Sequence, residues 1–227
     1  MLFRVRYAIL NKTVDNRKVA IMKEIHLLGK KINIEASPVI LSYRPDEHWE
    51  SHFKVMGGKW WQEGGWLYGE ENGNKGGILF TRECFQEDVM LSFTVATVLP
   101  ATRDLNAVFC AHWDEETDYL GESYVCGLNG WYEHKSGIER NLSSNLYTTT
   151  SLYHYEPGSA VRMCAGAING HCFMTVDDVL VSELIDPSPI RYGHVGFSPY
   201  CTKLKITDIE VRKIAWEPFR QTYLPEF

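Results

Sequence analysis

Apolar and polar residues alternate in short runs along most of the chain, which is the period-two pattern of half-buried β-strands. In residues 88–98 the apolar side is Val89, Leu91, Phe93 and Val95, and the other side is Ser92, Thr94 and Ala96. Residues 106–114 repeat the pattern, with Ala107, Phe109, Ala111 and Trp113 opposed by Val108, Cys110, His112 and Asp114. The second run predicts a strand that is covered on both faces.

The C-terminal half predicts an antiparallel meander. Residues 161–167, 171–176 and 179–185 read as strands, because Asn169-Gly170 and Asp177-Asp178 between them tolerate the positive φ angles of tight hairpin turns. Two further strands are predicted at 193–198 and 204–212. In the last strand the apolar phase slips, and a β-bulge near Thr207-Asp208 restores the inward direction of the residues that follow.

Helical signals are restricted to a short stretch at 46–52, after Arg44-Pro45. About a dozen short strands separated by Gly, Pro, Asn and Asp turns indicate two packed antiparallel sheets rather than a parallel α/β sheet. The predicted fold class is therefore all-β, a two-sheet antiparallel sandwich with few short helices.

The length of 227 residues suits one sandwich domain, which we place at residues 22–227. Residues 1–21 are either native or an extension, because Met22 offers a second start with a cleaner strand pattern. The N-terminus has no apolar run long enough for a secretory signal, and no later stretch reaches the roughly 20 apolar residues of a membrane span. We therefore predict a cytoplasmic protein with no membrane partner.

The charge and the cysteine positions indicate which further classes of partner to expect. The 23 basic and 29 acidic residues give a net charge of −6, and no Lys/Arg cluster repeats along the chain, so we predict no nucleic-acid partner. Four of the six cysteines sit in apolar runs, where a free thiol acts as a small hydrophobe, and no C-x-x-C is present. Reduced cysteines and no structural zinc site are the expectation.

The order of several motifs resembles the concanavalin A-like lectin and glucanase superfamily of jelly-roll sandwiches. They are Trp49…Gly57-Gly58-Lys59-Trp60, Gly64-Gly65-Trp66-Leu67-Tyr68-Gly69, Gly77-Ile78-Leu79-Phe80, and Tyr192-Gly193-His194-Val195-Gly196-Phe197. Together they cover about residues 45–213, and they specify the fold more than the activity. The resemblance implies a jelly roll that holds a mono- or oligosaccharide.

A narrower resemblance is to uncharacterised bacterial sandwich proteins encoded near pectin and rhamnogalacturonan utilisation genes, through Glu139-Arg140-Asn141-Leu142 and Leu152…Pro157-Gly158. A looser one is to hydrolases and lyases of 3-keto-glycosides. The E-x-D-x-E strand of laminarinase-type glucanases is absent, since 114–118 has the wrong spacing, which argues against an ordinary retaining glucanase.

Aromatic and ionisable residues crowd into 112–155, and a sugar platform needs both kinds of side chain. His112 and Asp114 share one side of a strand, as do Glu139 and Asn141, and 130–135 reads as a recognition loop. We predict Glu139, His134 and His112 as catalytic residues. The predicted substrate-binding residues are Trp113, Asp114, Tyr124, Trp131, Lys135, Arg140, Asn141 and His154.

Each assignment has a structural alternative: a polar pair at a strand end for His112 and Asp114, and a cross-strand ion pair for Glu139 and Arg140. No cofactor is predicted, although a divalent metal beside His112, or calcium in the loop 69–77, stays open. The favoured function is a glycoside hydrolase or lyase that acts by general acid–base catalysis on the concave sheet. A carbohydrate-binding protein without turnover, and an accessory subunit that uses a sandwich face, are the alternatives.

Overall fold

The computed structural model describes residues 23–71, 76–86, 88–131, 134–142 and 145–220, and within them the chain is almost entirely β. Strands β1 to β20 are numbered in chain order. The predicted extension at 1–21 lies outside the described residues.

Two large sheets form a sandwich. The first has seven strands in the spatial order β14 (Tyr147–Thr150), β13 (Lys135–Asn141), β12 (Ser123–Trp131), β9 (Leu105–Ala111), β18 (His194–Phe197), β7 (Ile78–Thr81) and β4 (Phe53–Gly57). The second has the order β17 (Val179–Ile185), β16 (His171–Val176), β15 (Val161–Ile168), β8 (Val89–Thr97), β19 (Thr202–Lys213), β6 (Trp66–Glu71) and β5 (Lys59–Glu63), with β3 (Val39–Tyr43) beside β19.

Smaller elements complete the architecture. A three-stranded sheet consists of β1 (Glu24–Leu27), β2 (Lys30–Asn33) and β20 (Trp216–Pro218), and a short hairpin consists of β10 (Trp113–Asp114) and β11 (Tyr119–Leu120). A single turn of 3₁₀ helix at Trp49–Ser51 confirms the short helix predicted at 46–52. The pairings recorded for these strands are antiparallel, so the predicted all-β sandwich is confirmed.

The main core lies between the two large sheets. Phe93 and Val95 of β8 meet Ala107 and Phe109 of β9 there, and each of these side chains is at most 1% exposed. Because successive strand residues point to opposite faces, the neighbours of these core residues on β9 face away from the second sheet.

A separate apolar cluster covers the outer face of the seven-stranded sheet. It contains Ile78, Phe80, Val108, Ala111, Leu120 and Val125, with Met56 and Trp113 packed against it. Leu120 and Trp113 come from the β10–β11 hairpin, which therefore lies over the middle of this face. The hairpin leaves the part of the face nearest β12 and β13 open.

The predicted meander is confirmed. Strands β15, β16 and β17 pair in sequence, and Asn169, Asp177 and Asp178 have the positive φ angles that their turns require. The bulge predicted near Thr207-Asp208 is also present, as a register shift between β19 and β8 with Asp208 at φ 50°.

Two local predictions are wrong. The alternation through 106–114 breaks at Cys110, whose φ of 48° accompanies a shift of the β18–β9 register, so that Ala111 joins the outer cluster instead of the core. The loop predicted at 130–135 is wrong at both ends, because β12 continues to Trp131 through a bulge, with Asn129 at φ 60°, and β13 begins at Lys135. Glycine and asparagine mark bulges here, because bulges need the same conformations as loops.

Candidate functional site

A cleft of about 260 Å³ opens on the uncovered part of the outer face, and we name it the Trp131 cleft. Its lining residues are Asp104, Asn106, Tyr119, Leu120, Val125, Gly130, Trp131, Glu139, Asn141, Ser198 and Tyr200. The predicted site residues Trp131, Glu139 and Asn141 are thus brought together. Amides, carboxylates, tyrosines and an indole share this one concavity.

Strand register explains why Glu139 faces the cleft. Glu139 lies opposite Val125 on β12, and Val125 lies opposite Val108 on β9, so the three side chains form one row on the outer face. Ile138, the residue before Glu139, is fully buried in the core between the sheets. Asn141 is two residues further along β13 and therefore shares the face of Glu139.

Gly127 makes room for two side chains of the cleft. A Cβ at this position would lie 2.3 Å from Asn106 Oδ1 and 2.6 Å from the Trp131 ring. Both approaches are shorter than any ordinary contact, so glycine is required for the indole and the amide to sit where they do.

Asn106 presents an unpartnered acceptor to the cleft. Its Nδ2 donates a hydrogen bond to the Ser198 carbonyl over 3.0 Å, and its Oδ1 is buried without a hydrogen-bond partner. Only 8% of the residue is exposed. An unmatched buried oxygen costs free energy, because it has given up water without gaining another donor.

Asp104 sits beside that oxygen. A Cβ on Gly130 would lie 3.1 Å from Asp104 Oδ1 and 3.2 Å from Asn106 Oδ1, so the two oxygens surround the same point. Burial raises the pKa of Asp104 to about 6, and the Arg103 guanidinium, 3.2 Å from Oδ2, and the Asn106 amide oppose that rise.

Glu139 is the second carboxyl group of the cleft. Its Oε2 accepts a hydrogen bond from Trp131 Nε1 over 3.3 Å. Burial raises the pKa of Glu139, and the Trp131 hydrogen bond lowers it by a smaller amount. Asn141 has a different role, because its Nδ2 donates to the carbonyls of Leu120 and Gly121, both over 2.8 Å, and ties the β11 end of the hairpin to the sheet.

The residues predicted at 112–114 lie elsewhere. They line a separate cleft of about 550 Å³, together with Glu122, Arg191 and Tyr192. His112 Nε2 is 3.0 Å from the Tyr192 carbonyl oxygen, and Asp114 accepts hydrogen bonds from Glu116 N and Thr117 Oγ1. Asp114 therefore stabilises its own turn, His112 contacts the segment at Tyr192, and Trp113 packs against the outer apolar cluster.

Tyr124 and Arg140 are directed away from the outer face. The Tyr124 hydroxyl donates to Asp186 Oδ2 over 2.7 Å, and Arg140 donates to the same oxygen over 3.0 Å. Tyr124 is fully buried, and Arg140 also donates to Glu122. Arg140 and Glu139 lie on opposite faces because they are adjacent in one strand, and burial raises the pKa of Glu139.

The remaining predicted residues do not line the Trp131 cleft. His134 is exposed beside the turn, at φ 58°, and His154 is exposed between β14 and β15. Lys135 begins β13 opposite Trp131. The aromatic and ionisable residues of 112–155 are therefore divided among a cleft, the core and the surface. This stretch spans five strands, and side chains alternate between the two faces of each strand. Tyr132 and Glu133 of the same stretch lie outside the described residues.

Sequence reasoning missed Asp104, Asn106, Ser198 and Tyr200. Asn106 carried a usable signal, since an amide between Leu105 and Ala107 is unusual in an apolar strand. Asp104 carried none, because its burial follows from the packing of β9, β12 and the segment before β9.

Among the described residues, no group of three or more His, Cys, Asp or Glu side chains is placed to hold a metal ion. In the loop 69–77, Glu71 accepts a hydrogen bond from Cys201 N over 3.0 Å, while residues 72–75 are outside the described ranges. All six cysteines are free. No helix within the described ranges is long and apolar enough to cross a membrane.

No protein-family model and no curated protein sequence matches the chain. Solved structures do. A Bacillus subtilis protein of unknown function with a galectin-like fold aligns with a TM-score of 0.60 at 11% identity, covering 78% of this chain and 98% of its own. The carbohydrate-binding module CBM66 from Bacillus subtilis aligns at 0.57 and 12% identity, covering 71% and 95%.

The metal-free carbohydrate recognition domain of Emp46p aligns at a TM-score of 0.51 and 15% identity, covering 79% of this chain and 97% of that domain. At such identities the similarity concerns the fold alone. The chain therefore has a jelly-roll β-sandwich fold similar to the galectin-like fold, and the jelly-roll sandwich predicted from the sequence is confirmed.

Proposed function

We propose that the protein binds a carbohydrate in the Trp131 cleft. The observation that carries this proposal is the meeting of an indole, two carboxyl groups and a buried, unpartnered amide oxygen in one concavity. Aromatic rings pack against the apolar C–H face of a sugar ring, and convergent polar groups bind its hydroxyls.

The size and the fold agree with that ligand. A volume of about 260 Å³ lies just below the roughly 300–1000 Å³ of typical small-molecule pockets, which suits a short saccharide rather than a long one. Two of the similar structures are named as a carbohydrate-binding module and a carbohydrate recognition domain, which supports the same class of ligand.

A calorimetric titration against a panel of mono- and oligosaccharides tests the proposal. A sugar that binds the wild type should bind Trp131→Ala at least tenfold more weakly, since aromatic contacts in such sites contribute about 1–3 kcal/mol. Trp61→Ala is the matched control, because Trp61 is also half-buried but lies on the second sheet, stacked on Tyr68. Equal losses in both variants, or no binding by the wild type, would refute the proposal.

A glycoside hydrolase or lyase is the second candidate, and one observation favours it. Asp104 and Glu139 line the same cleft, and burial raises the pKa of Asp104 to about 6 and the pKa of Glu139 above its ordinary value, which is the direction expected of groups that exchange a proton with a substrate. Asp104→Asn and Glu139→Gln should then abolish turnover of a bound glycoside while binding persists. Binding without turnover by the wild type would leave the carbohydrate-binding function alone.

A further inference from the structure

The charges of the Trp131 cleft are all of one sign. Asp104 and Glu139 are its acidic residues, and its described lining contains no Lys, Arg or His. Arg103 pairs with Asp104 from outside the lining, and Arg140 is engaged by Asp186 and Glu122. A ligand in this cleft therefore meets a negative field.

The floor of the cleft, formed by Asp104 and Asn106, also favours a ligand that donates hydrogen bonds. The orientation of the Asn106 amide is fixed by the Ser198 carbonyl, which can only accept, so the amide nitrogen faces Ser198 and Oδ1 lies on the side of Gly127 and Gly130. That oxygen and Asp104 Oδ1 lie around one point near Gly130. The floor thus offers acceptors and requires donors from whatever binds there.

We propose that the saccharide bound in this cleft is an amino sugar with a free, protonated amine. This inference rests on the proposed carbohydrate-binding function. The ammonium group lies between Glu139 and Asp104, and one of its N–H bonds, or a neighbouring hydroxyl, is donated to Asn106 Oδ1.

An ammonium group fits these surroundings better than the other common sugar substituents. It supplies three donors and no acceptor, whereas an N-acetyl group adds a carbonyl that the acceptor-rich floor cannot satisfy. A uronic acid brings a third carboxylate next to Asp104 and Glu139, which is unfavourable. The Trp131 ring adds a favourable site for a cation within reach of its face.

The test compares matched sugars. Glucosamine and galactosamine are titrated against glucose and galactose, their N-acetyl derivatives and glucuronate, with the Trp131 indole resonance as the reporter of the cleft. Each amine should bind at least tenfold more tightly than its neutral parent, because its ammonium group forms charge-assisted hydrogen bonds with the carboxylates. The acetylated and acidic sugars should bind no better than the parent.

Glu139→Gln removes the negative charge of this side chain while nearly preserving its shape. The amide keeps an acceptor for the Trp131 indole but carries no charge, so the ratio of amine affinity to neutral-sugar affinity should fall at least fivefold, whatever loss is common to all the sugars. Glu115→Gln is the control, because Glu115 is a carboxylate that lines a neighbouring cleft on the same sheet face.

Three outcomes are distinct. Tighter binding of the amines that depends on Glu139 supports the inference. Equal binding of amines and neutral sugars in the Trp131 cleft overturns the inference and leaves the proposed function standing. No perturbation of Trp131 by any sugar overturns both.

Discussion

The indole Nε1 of Trp131 donates a hydrogen bond to Glu139 Oε2 over 3.3 Å, from the end of one strand to the middle of its neighbour. This contact fixes the aromatic ring beside a half-buried carboxylate on the open part of the outer face. It joins the two kinds of group that sugar recognition requires.

Trp131→Phe should raise the pKa of Glu139 further. The phenyl ring has no N–H, and the lost hydrogen bond is the interaction that opposes the effect of burial on this carboxyl group. Carboxyl ¹³C resonances followed through a pH titration measure the change, with Trp61→Phe as control. A pKa of Glu139 that is the same in all three proteins would show that the contact is not formed in solution.

Asp104→Asn should change how stability depends on pH. The pKa of Asp104 is about 6 in the folded protein, against an ordinary value of 3.8, so the folded state binds this proton more tightly than the unfolded state. The resulting stabilisation is complete below about pH 4 and is lost as the pH rises through 6. The wild type should therefore lose up to about 3 kcal/mol across this range through Asp104.

Denaturant unfolding of both proteins at pH 4, 6 and 8 measures this difference. The free energy of unfolding of Asp104→Asn should depend less on pH than that of the wild type. Relative to the wild type, the variant should be most stable at pH 8. Asp178→Asn, in an exposed turn, is the control and should follow the wild type. Parallel pH profiles for Asp104→Asn and the wild type would contradict the burial of this carboxylate.

Arg140→Met should destabilise the protein without weakening sugar binding. The side chain of Asp186 is 1% exposed, and in the variant it would keep the hydrogen bond from Tyr124 but lose its ion pair with Arg140. A buried charge without its partner costs about 3 kcal/mol or more of stability. Arg44→Met removes an exposed pair with Asp208 and should cost under about 1 kcal/mol. If folded Arg140→Met no longer bound the sugar, Arg140 would have to be part of the binding site.

Gly127→Ala should close the Trp131 cleft. The new methyl group would lie 2.3 Å from Asn106 Oδ1, so the amide or the indole must move and sugar affinity should fall at least tenfold. Gly130→Ala, whose nearest contacts would be 3.1 and 3.2 Å, should cause a smaller loss. Calorimetry compares them, and equal affinity for Gly127→Ala and the wild type would argue against this site.

The sandwich could be predicted from the sequence because its signals are local. Asn169-Gly170 and Asp177-Asp178 dictate their turns through backbone conformation, and the slipped phase near Thr207 reveals its own bulge. The cleft could be predicted only in part. Glu139 and Asn141 share a face by simple alternation, whereas Asp104 and Asn106 reach Trp131 through sheet pairing between segments distant in sequence.

Bulges account for the remaining errors. At Cys110 the backbone takes positive φ without a signal in the sequence, whereas Asn129, which tolerates positive φ, indicated a loop where the strand has a bulge. Each bulge changes which face the following side chains occupy. Consequently His112 and Trp113 lie outside the cleft that the sequence predicted for them. Trp131 lies in the cleft, but on a strand rather than on the predicted loop.

Trp131, one of seven tryptophans in the chain, lies in the proposed sugar site, and the other six provide internal controls. The most direct test follows the seven indole N–H resonances in a ¹H–¹⁵N spectrum while a saccharide is added. We expect a saturable shift of the Trp131 resonance and no shift of the Trp61 and Trp66 resonances, which belong to the second sheet. Shifts confined to Trp61 and Trp66, or a Trp131 resonance unmoved by a sugar that calorimetry shows to bind, would contradict the proposed site.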